Sequence, residues 1–360
     1  MKKFMFSALA AAAIAATAIF GAPGTAEAQV KVAFMYVGPV DDFGWTFRHD
    51  EGRKAVEARF GDAVETTFVE SVSEGPDAER VIRQLAEAGN DIIFTTSFGF
   101  MDPTIKVAAE FPDVKFEHAT GFKRAPNDAT YSARFYEGRP ILGTIAGRVT
   151  KSNIIGYIGA FPIPEVVRGI NAFTIALRRV NPQAEVKVVW LNTWFDPAQE
   201  STAAQILIDQ GADVILQHTD SPAPVQIASK NGVIAFGQAS DQTNFAPDAH
   251  ATAIIDNWDS YYIERVQAVI DGTWESTDTW LGLGAKMVTM APYADWLPAD
   301  VRAEAQALEA AIASGDIHPF AGPIKAQDGT LVVADGAVLD DGVLLGMDYY
   351  VEGVQGALPQ

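Results

Sequence analysis

Aromatic and acidic side chains recur where the apolar runs of this chain end. Trp45 follows Gly44 in "VGPVDDFGWTFRHDEGRKA", Phe98 and Phe100 stand in "TSFGF", and Trp194 and Phe195 in "NTWFDP". Large aromatics at loop tips lose hydrophobic stabilisation unless something covers them, and a flat ring is what they cover best. Carboxylates sit in comparable loops: Glu165 in "FPIPEVVRG", Asp220 in "QHTDSPAP" and Asp241 in "GQASDQT". Each has a local explanation as well. Glu165 would open a helix after Pro164, where the dipole favours a carboxylate, and Asp220 and Asp241 suit turns or N-caps. Stacking faces combined with carboxyl acceptors describe binding of a small ring with polar edges.

Catalytic and metal chemistry finds no support. The sequence has no G-x-x-x-x-G-K-[ST], no G-x-G-x-x-G after a strand, no G-x-S-x-G and no H-E-x-x-H. Its five histidines, His49, His118, His218, His250 and His318, lack zinc-site spacing. His49, Asp50 and Glu51 are consecutive on an expected helix and point in different directions, as polar side chains turned to solvent would. No cofactor or metal is expected.

The elements that position these loops alternate. Strand-like runs cover 30–37, 64–70, 91–97, 114–119, 153–160, 186–192, 213–218 and 232–237, with helix-like segments such as "DAERVIRQLAEAG" and "ESTAAQILIDQG" between them. Short buried strands alternating with helices predict parallel sheets covered on both faces. The segment 79–97 repeats at 201–219, with Leu85 over Leu207, Gly89 over Gly211, Asp91 over Asp213 and Ile93 over Ile215. Two similar α/β domains follow. Ligands of open α/β sheets bind outside the carboxyl ends of the strands, so facing domains would bring the aromatic and acidic loops to one cleft.

Composition narrows the partners. A basic start, an apolar run from Ala8 to Phe20 and Ala26-Glu27-Ala28 read as a secretory signal cleaved after Ala28. The run is about 13 residues, short of the roughly 20 that span a bilayer. There is no cysteine, so disulfides and a lipid-modified N-terminus are excluded, and a periplasmic location without a lipid anchor is expected. Of 26 basic and 46 acidic residues, removal of Lys2, Lys3 and Glu27 leaves 24 and 45, a formal charge of −21 that disfavours nucleic acid. About 330 remaining residues suit two domains rather than one core.

Several stretches together resemble the basic membrane protein family of ABC-importer solute-binding proteins, of the purine-nucleoside-receptor-like kind. They are "VGPVDDFGWTFRHDEGRKA", "TTSFGFMDPTIKVAAEFPDVKFEHATG", "FYEGRPILGTIAG", "PIPEVVRGINAF", "ADVILQHTDSP", "SDQTNFAP" and "HPFAGPIKAQDGTLV". The resemblance implies a type I periplasmic-binding fold, two Rossmann-like domains joined by a three-segment hinge that closes on a purine. It implies no catalysis, a small-molecule ligand (a purine base or nucleoside) and an ABC permease in the inner membrane as partners.

Carried over by motif, Trp45, Phe98 and Trp194 become stacking residues, and Tyr136 a stacking or hydroxyl donor. Glu165, Asp220 and Asp241 become acceptors for ring N–H and amino groups. Nucleoside binders of the family carry Asp-Lys-Ser-Phe-Asn after the first strand, where this chain has Asp42-Phe43-Gly44-Trp45. Loss of that Asn favours a nucleobase over a nucleoside. The rival expectations are a sugar or other small polar metabolite, an exported nucleoside hydrolase, and a sensory receptor. The expected division is a signal peptide 1–28, an N-terminal lobe 29–133 plus 252–276, and a C-terminal lobe 134–251 plus 277–360, with crossings near 132–136, 250–254 and 273–278. Asp-Gly pairs in the last 40 or so residues predict a hairpin.

Overall fold

The computed structural model describes Met1 and residues 29–359; the expected signal segment, 2–28, lies outside the described residues. The first half alternates β1 (Val30–Met35), α1 (Trp45–Phe60), β2 (Val64–Val69), α2 (Pro76–Glu87), β3 (Ile92–Thr95), α3 (Met101–Glu110), β4 (Lys115–Ala119) and β5 (Asp128–Ala133). The chain continues with α4 (Arg139–Val149), β6 (Ile154–Gly159), α5 (Pro164–Val180), β7 (Glu185–Trp190), α6 (Pro197–Asp209), β8 (Val214–His218), α7 (Ala223–Asn231), β9 (Ile234–Gly237) and β10 (His250–Asp256). Then come α8 (Asp259–Ile270), β11 (Asp278–Leu281), β12 (Val288–Met290), α9 (Ala299–Ala313), β13 (Ile324–Lys325), β14 (Leu331–Val333), α10 (Asp341–Leu345) and β15 (Val354–Gln355).

Two sheets result. The first has the order β11-β5-β4-β3-β1-β2 and the second β12-β10-β9-β8-β6-β7-β15. All pairings in the first sheet are parallel, and only β12 runs antiparallel in the second. The central strands β3 and β8 are buried along their whole length, which is why they read as continuous apolar runs.

The repeat has a structural counterpart. Gly89 and Gly211 both adopt positive φ (79° and 96°), the left-handed turn that ends α2 and α6 before the next buried strand. The aspartate two residues on ties down a neighbouring segment in each half. Asp91 accepts from the Lys31 N–H at 2.8 Å, and Asp213 from the N–H groups of Lys151 and Ser152 at 2.6 and 2.9 Å.

The chain passes between sheets three times, and two passages lie further along than expected. β10 belongs wholly to the second sheet, pairing with β9 and β12, so the passage follows Asp256 rather than falling at 250–254. β11 belongs to the first sheet, in register with β5 from Asp278↔Thr130 to Leu281↔Ala133, so the return follows Leu281 rather than 273–278. The apolar strand "HATAIID" gives no local sign of which sheet it joins; its pairing partners decide it.

The C-terminal stretch forms the expected hairpin, β13 and β14 turning at Asp328-Gly329 with Gly329 at φ 87°. It then packs along α5, where Arg168 donates to the Leu344 carbonyl at 2.6 Å and Asn171 to that of Tyr349 at 2.7 Å, and β15 extends the second sheet beside β7. Asp341 pairs in bidentate fashion with Arg134 at the first passage, at 2.7 and 2.6 Å. No helix among the described residues is long and apolar enough to cross a membrane.

Candidate functional site

A pocket of about 350 Å³, space open to solvent included, lies between the sheets, at the carboxyl ends of their strands. From the first lobe it is lined by Val37, Trp45, Ser97, Phe98 and Thr120, and from the second by Glu165, Trp194, His218, Asp220 and Gln238.

The first lobe fixes Trp45 from several sides. Phe43 takes φ +57°, and Asp42 accepts from the N–H groups of Gly44, Thr46 and Phe47 at 2.8, 2.9 and 2.9 Å, satisfying the donors that open α1. Burial pushes the Asp42 carboxyl up to about 6 in spite of those bonds. The indole N–H of Trp45 donates to the Thr96 carbonyl at 2.6 Å, and its ring meets His49 and Trp258 edge-on at centroid distances of 4.4 and 5.6 Å.

The second lobe supplies the polar groups. His218 Nε2 lies 3.5 Å from Glu165 Oε1, yet desolvation keeps the imidazole below its ordinary value. Gln238 accepts from Arg139 Nη2 at 2.6 Å, and Arg139 Nη1 donates to the Gln217 carbonyl at 3.1 Å. With its oxygen so engaged, Gln238 offers its amide N–H groups to the cavity. The turn carrying Asp220 is held by Glu200, which accepts from Thr219 Oγ1 and from the Ser221 N–H and Oγ at 2.9, 3.1 and 2.7 Å. The Asp220 carboxyl itself has no hydrogen-bond partner among the described residues. Burial pushes it well above the carboxylate range, and Asp42, Glu200, Asp256 and Glu165 push it further.

The lobes are closed on each other. A Cβ at Gly44 would stand 2.1 Å from the Asp220 carbonyl oxygen, so only glycine allows this approach of backbone to backbone. Ser240 Oγ donates to the Phe43 carbonyl, and Phe43 packs edge-on against Phe245 at 4.9 Å. Arg48 Nε donates to the Asp256 carbonyl at 2.6 Å. Across the opposite rim the Trp194 indole N–H reaches Glu74 at 3.4 Å, and Glu74 in turn accepts from Ser97 Oγ and the Gly99 N–H at 2.6 and 2.9 Å.

Five of the seven residues singled out in the sequence, Trp45, Phe98, Glu165, Trp194 and Asp220, line this cavity. Two do not. Tyr136 is buried behind it, its hydroxyl accepting from Arg134 at 2.7 Å and its ring against Trp280 and Phe320. Asp241 is exposed and caps its own turn, accepting from the Thr243 N–H and Oγ1 at 3.0 and 2.5 Å.

The surface reading of His49 and Asp50 is also corrected. Both are buried, His49 under α8 with its ring stacked on Trp258 at 4.7 Å and bonded to the Tyr262 hydroxyl, and Asp50 against Arg53 at 2.7 Å and the Tyr36 hydroxyl at 3.4 Å. His218 and Gln238 were missed. They end β8 and follow β9, positions that the strand-end rule nominates whatever residue stands there.

Two α/β lobes joined by three passages and closed over a cavity define a protein of the periplasmic-binding fold. Solute-binding proteins of ABC transporter systems share the fold. One from Aeropyrum pernix superposes with a TM-score of 0.69 at 19% identity, covering 82% of this chain and 93% of that one. Another, from Conexibacter woesei, gives 0.64 at 24%, covering 80% and 98%.

The chain belongs to the Bmp family, the ABC transporter substrate-binding proteins described as PnrA-like, which it matches over residues 29–318. It is 55% identical over 342 residues to a purine-binding protein of Brucella abortus, covering 95% of this chain and 97% of that one. A putative ABC transporter glucose-binding protein of Haloferax volcanii is 38% identical over 339 residues, covering 94% and 83%. Proteins of this family bind substrates for transport and are not enzymes, which removes the hydrolase reading.

Proposed function

We propose that the protein is the receptor of an ABC importer for a purine, taken as the nucleobase rather than the nucleoside. The observation that carries the reading is the cavity itself. Trp45, Phe98 and Trp194 supply aromatic walls, while the titratable and amide groups, Glu165, His218, Asp220 and Gln238, come from the second lobe and the first adds the hydroxyl residues Ser97 and Thr120. A flat ring with a hydrogen-bonding edge fits that division, and stacking on an aromatic is worth about 1–3 kcal/mol per base. Trp45 stands where nucleoside binders of the family carry their motif, which supports the base over its riboside. The Brucella relative, named as purine-binding, supports the ligand class.

The mechanism is hinge closure. Ligand binds one open lobe and the second closes over it through the Gly44–Asp220 and Ser240–Phe43 contacts. The closed form is then presented to the permease in the inner membrane. On this reading the chain is exported and its signal is cleaved after Ala28.

A sugar is the second reading, favoured by the Haloferax relative, named as a putative glucose-binding protein, and by two cavity carboxyl groups able to accept from hydroxyls. Thermal shift and calorimetry of the mature protein with adenine, hypoxanthine, guanine, adenosine, inosine, ribose and glucose separate the two. A base at about 100 times its Kd stabilises by about 2.7 kcal/mol, and ribose and glucose leave the transition unmoved. Stabilisation by sugars alone overturns the purine reading. Nucleosides bound more tightly than bases overturn the base reading.

A further inference from the structure

Asp220 is a carboxyl group in the cavity that the protein leaves unanswered. The residue is 4% exposed and lines the cavity, and its carboxyl oxygens have no hydrogen-bond partner and no ion-pair partner among the described residues. The charged and titratable groups around it come from both lobes. Asp42 approaches from the loop before α1, Glu165 from α5, Glu200 from α6, Asp256 from the end of β10 and His218 from β8.

The neighbouring cations point their donors at neutral oxygens and pair with no carboxylate among the described residues, Arg48 bonding the Asp256 carbonyl and Arg139 the Gln217 carbonyl and the Gln238 amide oxygen. His218 is held neutral by burial. An ionised carboxylate here would be buried with no ion-pair partner among four other carboxyl groups, and the group neutralises instead. Closure creates this environment, because Asp42 and the Gly44 backbone arrive with the first lobe.

Neutrality changes what Asp220 can recognise. A carboxylate only accepts, whereas a carboxylic acid donates through its O–H and accepts through its C=O. That fork complements a ring nitrogen beside an exocyclic amino group, the acceptor–donor edge of an adenine-type base. We propose that Asp220 holds the ligand as a neutral carboxylic acid, donating to a ring nitrogen and accepting from the adjacent amino group, and that closure on the ligand takes up the proton this requires. The inference rests on the purine reading above and names the edge being read.

The linkage sign is fixed. The closed form raises the affinity of Asp220 for its proton, so ligand binding is strongest at low pH. It weakens as pH rises from the ordinary carboxylate value towards that of the closed form, by up to tenfold per pH unit for one proton. An asparagine carries the same donor–acceptor fork at every pH, which makes Asp220→Asn the decisive variant.

Calorimetry with adenine, over the pH range in which adenine stays neutral and in buffers of differing ionisation heat, tests this. Wild type takes up close to one proton on binding and loses affinity as pH rises. Asp220→Asn binds adenine within a few-fold of wild type at low pH, with a flat profile and no proton uptake, and Asp220→Ala loses at least about tenfold at low pH. A wild-type affinity that is flat or rises with pH overturns the proposal, as does an Asn variant that loses adenine as completely as the Ala variant. Absence of adenine binding by wild type at every pH while hypoxanthine or guanine binds overturns this inference and leaves the purine reading standing; absence of binding of all three bases overturns the purine reading and this inference with it.

Discussion

The two walls of the cavity are built from different materials. The first lobe contributes Val37, Trp45, Ser97, Phe98 and Thr120, and its nearby acids are engaged, Asp42 by three backbone N–H groups and Glu74 by Ser97, Gly99 and Trp194. The second contributes Glu165, His218, Asp220 and Gln238 together with Trp194. Lobes of similar topology have thus divided the work. One offers a platform for a ring face, and the other presents hydrogen-bonding groups to ring edges. A ring set on the platform alone would be held by contacts that every base shares, so discrimination depends on closure bringing the second wall up.

The sharpest way to break that division is to stop the walls from meeting. Gly44→Leu places a side chain where Cβ alone would lie 2.1 Å from the Asp220 carbonyl. The expected loss is on the order of 100-fold in adenine affinity, near the upper end of the cost of overpacking, with small-angle scattering showing no contraction on adding ligand. An unchanged affinity would mean that the closed contact plays no part in binding.

Removing the platform comes next. Trp45→Ala is expected to weaken adenine by about 10- to 100-fold from lost stacking, with all bases affected alike; a loss confined to one base would move Trp45 to the edge-reading side. On the opposite wall Glu165→Gln is expected to change the order of preference among adenine, hypoxanthine and guanine, with individual affinities moving by about tenfold. A uniform loss across the three would assign Glu165 to packing.

The smallest effects lie away from the cavity. Asp341→Ala breaks the bidentate pair with Arg134, in which Asp341 is half-exposed, and should lower stability by at most about 1 kcal/mol in urea unfolding. Adenine affinity should move less than threefold if the two walls alone set it. Burial also holds His118 and His250 down to about 4. Each therefore binds its proton more readily in the unfolded chain below about pH 6.5 and removes stability from there towards pH 4, while carboxyl groups raised by burial, Asp42 among them, act in the opposite sense. His118→Gln should therefore gain stability relative to wild type as pH falls from 6.5 to 4 in thermal unfolding, and a difference that stays constant over that interval would contradict it.

Strand positions were readable because buried parallel strands leave continuous apolar runs, and β3 and β8 lie within two residues of where those runs place them. The passages between sheets were less readable, since β10 and β11 are assigned by pairing partners far away in sequence. The same limit governs the site. Trp45, Phe98 and Trp194 stood out as aromatics with no local use. Asp241 stood out equally, but a turn two residues long absorbs it. His49 looked like surface because its cover, Trp258 and Tyr262, lies more than 200 residues away in the chain. His218 and Gln238 carry no distinctive local pattern, and their value comes from where their strands end.

The absence of a side chain at Gly44 bears on what a neighbouring protein could read. Where the lobes touch at this point, main chain meets main chain, so the closing distance is a fixed stop rather than a soft cushion of side chains that could yield to a bulkier guest. A guest either fits beneath the stop or leaves the jaws ajar. Any docking partner would then receive a yes-or-no outline, identical for every accepted guest, and the choice among guests would be made beforehand in the time each stays bound.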